Sequence, residues 1–215
     1  MPLRVAQVAF GLERGVLGAS GNRMAVWTQG CSLPKCPGCS SRHTWSAQGG
    51  RRLPVAMLLR LAEAQPTPPS GLTVSGGEPT DQAAGVAALA DGFRAAFPGA
   101  EILLYTGLRW RALAARFPEL VARFDVVVAG PYVRTREVTP LAGSSNQEVR
   151  LLTPLAERLY AGWPSWPCHA LQVAQTGGDR LVTVGIPNTP GLSRAARQVG
   201  ALAVTWDSGH AGGKS

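Results

Sequence analysis

The stretch LTVSGGEPTDQAAGVAALADGFRAAFPGAEILLYTG, residues 72–107, decides the fold class. It opens on an apolar run, Leu72-Thr-Val-Ser75, and breaks at Gly76-Gly77-Glu78-Pro79. An alanine-rich segment over 81–96 follows with helical spacing, and Asp81 stands where it can cap or charge the start of that helix. A second apolar run, Glu101-Ile-Leu-Leu-Tyr105, then ends at Thr106-Gly107. Strand, helix and strand at this spacing make a parallel βα unit.

The rhythm extends in both directions. Upstream, Met24-Ala-Val-Trp-Thr28 reads as a strand running into Gly30-Cys31, and Pro54 opens a helix over VAMLLRLAEAQ that stops before TPPSG at 67–71. Downstream, a helix covers about 108–117 and Asp125-Val-Val-Val-Ala129 is a fourth buried strand, closed by Gly130-Pro131. Four parallel strands are too few for a closed eight-stranded barrel, so the expected architecture is a partial (βα) barrel or strongly curved α/β sheet, open on one side. Residues 132–150 read as a polar loop. Residues 169–175 and 180–186 flank Thr-Gly-Gly-Asp as a β-hairpin that joins the sheet or forms a flap. A short helix near 192–199, a strand at 201–206 and a Gly-rich tail close the chain.

Composition narrows the class. The 215 residues are 45% hydrophobic and 16% charged, enough for one domain with a real core. No apolar stretch is long enough to span a bilayer, and the weak apolar run of the N-terminal segment MPLRVAQVAFGLERG gives no support for secretion. The net charge is +8, but the basic residues are almost all arginines spread along the chain, with Lys35 and Lys214 the only lysines. Without basic–aromatic interleaving this argues against a nucleic-acid partner; an anionic small molecule or an acidic partner surface suits the charge.

Three of the four cysteines fall within Gly30-CSLPKCPGC-Ser40, spaced by four and then two residues. Pro34, Pro37 and Gly38 exclude a regular helix, so Cys31, Cys36 and Cys39 ride on a wrapping loop. Such clustering does not suit two structural disulfides and points to metal or cluster chemistry in a reducing compartment. Three thiolates can hold three corners of a [4Fe–4S] cluster. Zinc would need a further ligand, from Cys168 or His43, or a water. Redox or incidental cysteines are the third alternative.

The segment Gly30–Trp45 resembles the cluster loop of radical S-adenosylmethionine (SAM) enzymes, and more closely that of the small activating enzymes of anaerobic ribonucleotide reductase. The matching residues are Cys36-Pro-Gly-Cys39 with Thr44-Trp45, then Ser75-Gly-Gly-Glu-Pro79, Tyr105-Thr-Gly107, Asp125 through Gly130-Pro131, and Gly143-Ser-Ser-Asn-Gln147. Together they cover roughly 22–150 in the family's order. This chain departs by one extra residue between Cys31 and Cys36 (CX4CX2C), by Ala129 where relatives often carry Asp, and by a longer C-terminus.

The resemblance implies a radical SAM core over 1–150 and a C-terminal extension over 151–215 that contains the hairpin and packs on or caps the core. It implies that Cys31, Cys36 and Cys39 hold a [4Fe–4S] cluster whose open iron takes the amino and carboxylate groups of SAM. Reductive cleavage would then give methionine and a 5′-deoxyadenosyl radical. The cofactors carry that chemistry and no further catalytic side chain is assigned. Gly76, Gly77, Glu78 and Pro79 would meet the methionyl end, the glycines by allowing close backbone approach. Glu78 would supply charge or orient the loop. Thr106 and Gly107 lie where strand ends gather ligand-binding residues. Asn146, with Gln147, would serve the cofactor or substrate side or hold its own loop.

Tyr105 reads as core, Asp125 as a structural cap, and His43 as tuning the cluster or facing solvent. Trp45 packs the end of the cysteine loop. Trp163, Trp166 and Pro167 form a partner surface or a packed core. The implied partners are a larger glycyl-radical protein as substrate and a one-electron donor such as flavodoxin or ferredoxin, in the cytoplasm and without a membrane. The alternatives are a free-standing radical SAM enzyme acting on a small molecule or peptide, and a non-catalytic zinc or iron–sulfur interaction protein.

Overall fold

The computed structural model describes residues 1–15, 17–167, 172–176 and 180–185. Its strands are β1 (Pro2–Leu12), β2 (Arg23–Thr28), β3 (Arg51–Pro54), β4 (Gly71–Gly76), β5 (Glu101–Thr106), β6 (Val126–Ala129), β7 (Glu148–Leu151), β8 (Gln172–Thr176) and β9 (Arg180–Val184). Its helices are α1 (Val55–Glu63), α2 (Ala83–Ala96), α3 (Trp110–Arg116), α4 (Pro118–Val121) and α5 (Pro154–Leu159). The four apolar runs become β2, β4, β5 and β6, neighbouring and parallel. They form the centre of a mixed sheet of order β3-β1-β2-β4-β5-β6-β7, whose two edge strands do not meet.

The flanking strands correct the sequence reading. β1 pairs antiparallel with β2 and β3, with bulges between Val5 and Gln7 and between Ala9 and Leu12. The bulges break the two-residue period that would have marked this segment as a strand. Residues 148–150, expected at the end of the polar loop, instead belong to β7, antiparallel to β6. As a four-residue edge strand with Glu148 and Arg150 exposed, it carries a polar sequence without penalty. The helix expected from 81 starts at Ala83, after a 3-10 turn over Pro79–Gln82. The β8–β9 hairpin is a separate two-stranded sheet. The helix near 192–199, the strand at 201–206, the first residues of the expected hairpin and Cys168 lie outside the described residues.

Helices α1, α2 and α3 cover one face of the sheet. Leu3, Val26, Val74, Ile102 and Leu104 pack there against Leu58, Leu89, Phe93 and Leu113. The opposite face carries the alternate residues. Its lower end is sealed by α5, whose Ala156 and the following Tyr160 pack with Leu103, Val126 and Val128. Beneath this seal Arg23 and Glu101 form an ion pair with no exposed side-chain area. They stand on β2 and β5 in register across Gly71 of β4. A Cβ on Gly71 would lie 2.6 Å from the guanidinium, so glycine is what lets the arginine cross the middle strand. Arg23 also donates to Thr73 Oγ1 at 2.9 Å, and Tyr160 donates to Glu101 at 3.1 Å. Burial pushes the Tyr160 hydroxyl up to about 12, which keeps it a donor. Among the described residues no helix is long and apolar enough to cross a membrane.

Candidate functional site

The C-terminal ends of β2, β4, β5 and β6 open on a cavity of about 780 Å³. β2 hands the chain to the cysteine loop there. Gly30 N donates to Thr44 O at 2.7 Å and Cys31 N to Trp45 O at 3.2 Å, so the loop is closed at its neck by backbone bonds. Gln29, buried at the same neck, donates through Nε2 to His43 O and Ser46 O. Cys39 N bonds Cys36 O at 3.1 Å, giving the tight turn that Pro37-Gly38 allows. Ser32 N and Oγ both reach the Asp81 carboxylate, which anchors the longer first spacer.

Cys31, Cys36 and Cys39 are free thiols, half-buried, and all three line the cavity. Burial pushes the Cys31 thiol above its ordinary range, and the Leu33 backbone amide, with the Lys35 charge, offsets part of that rise. Among the described residues no three Cys, His, Asp or Glu side chains are grouped to hold a single ion. A tetrahedral zinc site is therefore not preformed from Cys31, Cys36, Cys39 and His43. An iron–sulfur cube makes a different demand. Its thiolates bind different irons, so they must face one volume rather than converge on one point. Three half-buried thiols on the wall of one cavity meet that demand.

The Gly-Gly-Glu-Pro turn is stitched to the strand that feeds the cysteine loop. Gly77 N donates to Thr28 O at 2.8 Å and Glu78 N to Gly30 O at 2.7 Å. Gly76 has φ +114°, and a Cβ on Gly77 would lie 1.9 Å from the Gly30 carbonyl oxygen. Only glycine permits this approach. Glu78 is 1% exposed and fully engaged. Its Oε1 accepts from Thr80 N, Thr80 Oγ1 and Thr106 Oγ1 at 2.8–3.0 Å, and its Oε2 accepts from Gly107 N at 2.8 Å. The carboxylate thus ties the end of β4 to the end of β5.

Gly76, Gly77, Glu78, Thr106 and Gly107 all line the cavity with the cysteines. Pro79 is buried behind the turn, off the wall. Asn146 is also off the wall, its Nδ2 donating to Pro131 O at 2.8 Å. Gln147 is on the wall and holds the 130–144 loop, accepting from Gly143 N and donating to Gly130 O. Tyr105 bonds Leu141 O through its hydroxyl at 2.7 Å. Asp125 sits beneath the sheet, accepting from Ile102 N, Arg94 and Thr153, and has a purely structural place. His43 and Trp45 line the cavity, and Trp163 and Trp166 pack against the α5 side of the core.

Several wall residues were not singled out from sequence: Gln7 on β1, Trp27 and Leu33 near the cysteine loop, Tyr132 and Leu141, and Val184 from β9. Trp27 alternates with Ala25 on a strand that ends at the cysteines, which was the available signal. Nothing local marks Val184, which reaches the cavity only because the hairpin folds back on β1.

Comparison with known proteins converges on the same segment. Residues 17–150 match the family described as a 4Fe-4S single cluster domain. The anaerobic ribonucleoside-triphosphate reductase-activating protein of Escherichia coli K12 is 28% identical over 144 residues. Its counterpart in Salmonella typhi is 30% identical over 144 residues. Each alignment covers 64% of this chain and 93% of the relative.

Proposed function

Since the chain belongs to the 4Fe–4S single-cluster family of radical SAM enzymes, alongside the activating proteins of anaerobic ribonucleotide reductase, we propose that it cleaves SAM reductively and installs a glycyl radical on a larger partner protein. The observation that carries this reading is the joint between its two motifs. The Glu78 N–Gly30 O and Gly77 N–Thr28 O bonds hold the Gly-Gly-Glu-Pro turn against the neck of the cysteine loop, over one cavity. The fold that goes with it is a partial (βα) barrel of radical SAM type, open on one side.

In this reading Cys31, Cys36 and Cys39 hold the [4Fe–4S] cluster. When bound, the cluster and SAM supply one-electron cleavage of the sulfonium bond and a 5′-deoxyadenosyl radical. The protein's part is position. Gly76 and Gly77 bring backbone groups against the methionyl end of SAM. Glu78 is a positioning residue, since its oxygens are already taken by Thr80, Thr106 and Gly107. Thr106 and Gly107 would form part of the wall that holds the cofactor. Gln147 and Asn146 fasten the 131–147 loop along the cavity, which limits water. The thiols require a reducing compartment, and the cytoplasm provides one.

A second reading has its own observation. Pro167, Val184 and Gly185, all beyond residue 150, line the cavity. A C-terminal segment that supplies its own wall suits a free-standing enzyme acting on a small molecule or peptide. The deciding experiment is anaerobic capture of partners from the source cell, followed by SAM and a reductant. A large stoichiometric partner that acquires a glycine-centred doublet in electron paramagnetic resonance supports the activase. Turnover of a metabolite or peptide without a protein radical supports the second reading and refutes the first.

A further inference from the structure

Cys31 and Trp45 are, among the described residues, the two that line both the main cavity and a second depression of about 310 Å³. The rest of its wall includes Arg4, Gln29, Ser32, Arg52, Asp81 and Gln82, none of which reaches the main cavity. The neck of the cysteine loop is therefore a partition with a face on either side.

Basic side chains gather around this neck. Lys35 Nζ lies 5.6 Å and the Arg42 guanidinium 5.7 Å from the centre of the Trp45 ring, both exposed and neither lining the depression itself. Arg4 and Arg52 stand in register on β1 and β3 and do line it. Among the described residues none of these four cations pairs with a carboxylate. Among the described residues Asp81 is the one acid on the wall, and Ser32 holds it through bonds of 2.7 and 2.6 Å. Lys35 belongs to the longer spacer between Cys31 and Cys36, and its ammonium donates to the Cys31 carbonyl. The unusual spacing thus delivers a cation to the Cys31–Trp45 neck.

Hydrogen-atom transfer requires contact between reacting atoms, so the radical's substrate must enter the main cavity. An electron needs no such contact, and Cys31 and Trp45 face both sides of the neck. We propose that the outer depression is the docking face for an acidic one-electron donor protein, with Lys35, Arg42 and Arg52 around Trp45 as its contact and the Cys31–Trp45 partition as the path for the electron. The proposal rests on the cluster reading above. The donor is oxidised by one electron and the cluster is reduced by one; no bond forms or breaks at this face. Complementary charge steers such encounters and raises their rate about 10- to 1,000-fold.

The test uses the reconstituted protein, flavodoxin hydroquinone as the probe donor, and the double variant Arg42→Glu with Arg52→Glu. Binding is read by fluorescence anisotropy of labelled flavodoxin, and cluster reduction by stopped-flow absorbance. The variant is expected to weaken binding and slow reduction by about 10-fold or more at low salt, with the gap closing as salt rises. Reduction by dithionite, which needs no docking, should stay at the wild-type rate, and Arg42→Lys with Arg52→Lys should restore binding. Unchanged flavodoxin binding would overturn the proposal, as would an equal loss with dithionite. A variant that loses only radical transfer to a protein substrate would also overturn it, by placing that substrate on this face. A wild-type chain that loads no iron would defeat the cluster reading, while the anisotropy measurement still decides whether the face binds the donor.

Discussion

Replacing Glu78 tests the claim that the Gly-Gly-Glu-Pro turn is held from within by its own carboxylate. In Glu78→Ala the Thr80 and Gly107 amides lose their acceptor inside the protein, while the Thr80 and Thr106 hydroxyls can turn to other partners. A buried donor left unpaired costs about 1–3 kcal/mol, and this applies in full to Thr80 N, whereas Gly107 N faces the cavity and costs less, so the loss is about 1–4 kcal/mol. For a chain of this size that lowers the melting temperature by roughly 2–16 °C. Glu78→Gln can keep Oε1 as an acceptor for its three donors, but it then turns an NH2 group toward Gly107 N–H. That mismatch lies at the cavity wall, where water relieves it, so the amide variant should fall between alanine and wild type. Urea unfolding of the metal-free protein under reducing conditions, followed by tryptophan fluorescence, measures both without the cluster. If both variants unfold within about 1 kcal/mol of wild type, the carboxylate does not hold the turn and the account of the site's framework fails.

Gly77→Ala places a Cβ against the Gly30 carbonyl, so it should lower both stability and iron content after reconstitution; full iron loading would contradict the joint between the two motifs. Removing one member of the Arg23–Glu101 pair, as in Glu101→Gln or Arg23→Met, should cost about 3–5 kcal/mol in denaturant unfolding, and the double apolar replacement should cost less than the sum. Equal and additive losses would show that the two side chains do not act as a pair. Serine at Cys31, Cys36 or Cys39 should sharply reduce iron binding, whereas serine at Cys168 should leave it near about four irons per chain.

The parallel centre of the fold was legible because each of its strands is a local, doubly buried apolar run bounded by glycine or proline. The cysteine loop and the Gly-Gly-Glu-Pro turn were legible for the same reason, since each lies within a few residues of chain. The flanks were not. β1 is bulged twice and turns through Gly11 at φ +67°, so its inward residues do not alternate cleanly. β7 is short and half-exposed, and only its pairing with β6 makes it a strand. The Arg23–Glu101 pair joins residues far apart in sequence, and its partner across the sheet is fixed only by strand order and register. Glu78 was recognised as part of the turn, but its burial follows from Thr106 and Gly107 arriving on the neighbouring strand. Asn146 and Gln147 were read as serving the cofactor or substrate side or holding their own loop; Gln147 stands on the cavity wall, and Asn146 Nδ2 donates to Pro131 O within the loop.

The central claim is that this cavity holds a cluster at Cys31, Cys36 and Cys39 and uses it on SAM. The most direct measurement is the 5′-deoxyadenosine released when the anaerobically reconstituted protein is given SAM and a strong one-electron reductant. The wild type is expected to release 5′-deoxyadenosine and methionine in equal amounts, and the three cysteine variants none. A wild-type chain carrying a full complement of iron and sulfide that releases neither product, across several reductants and with candidate partners present, would contradict it.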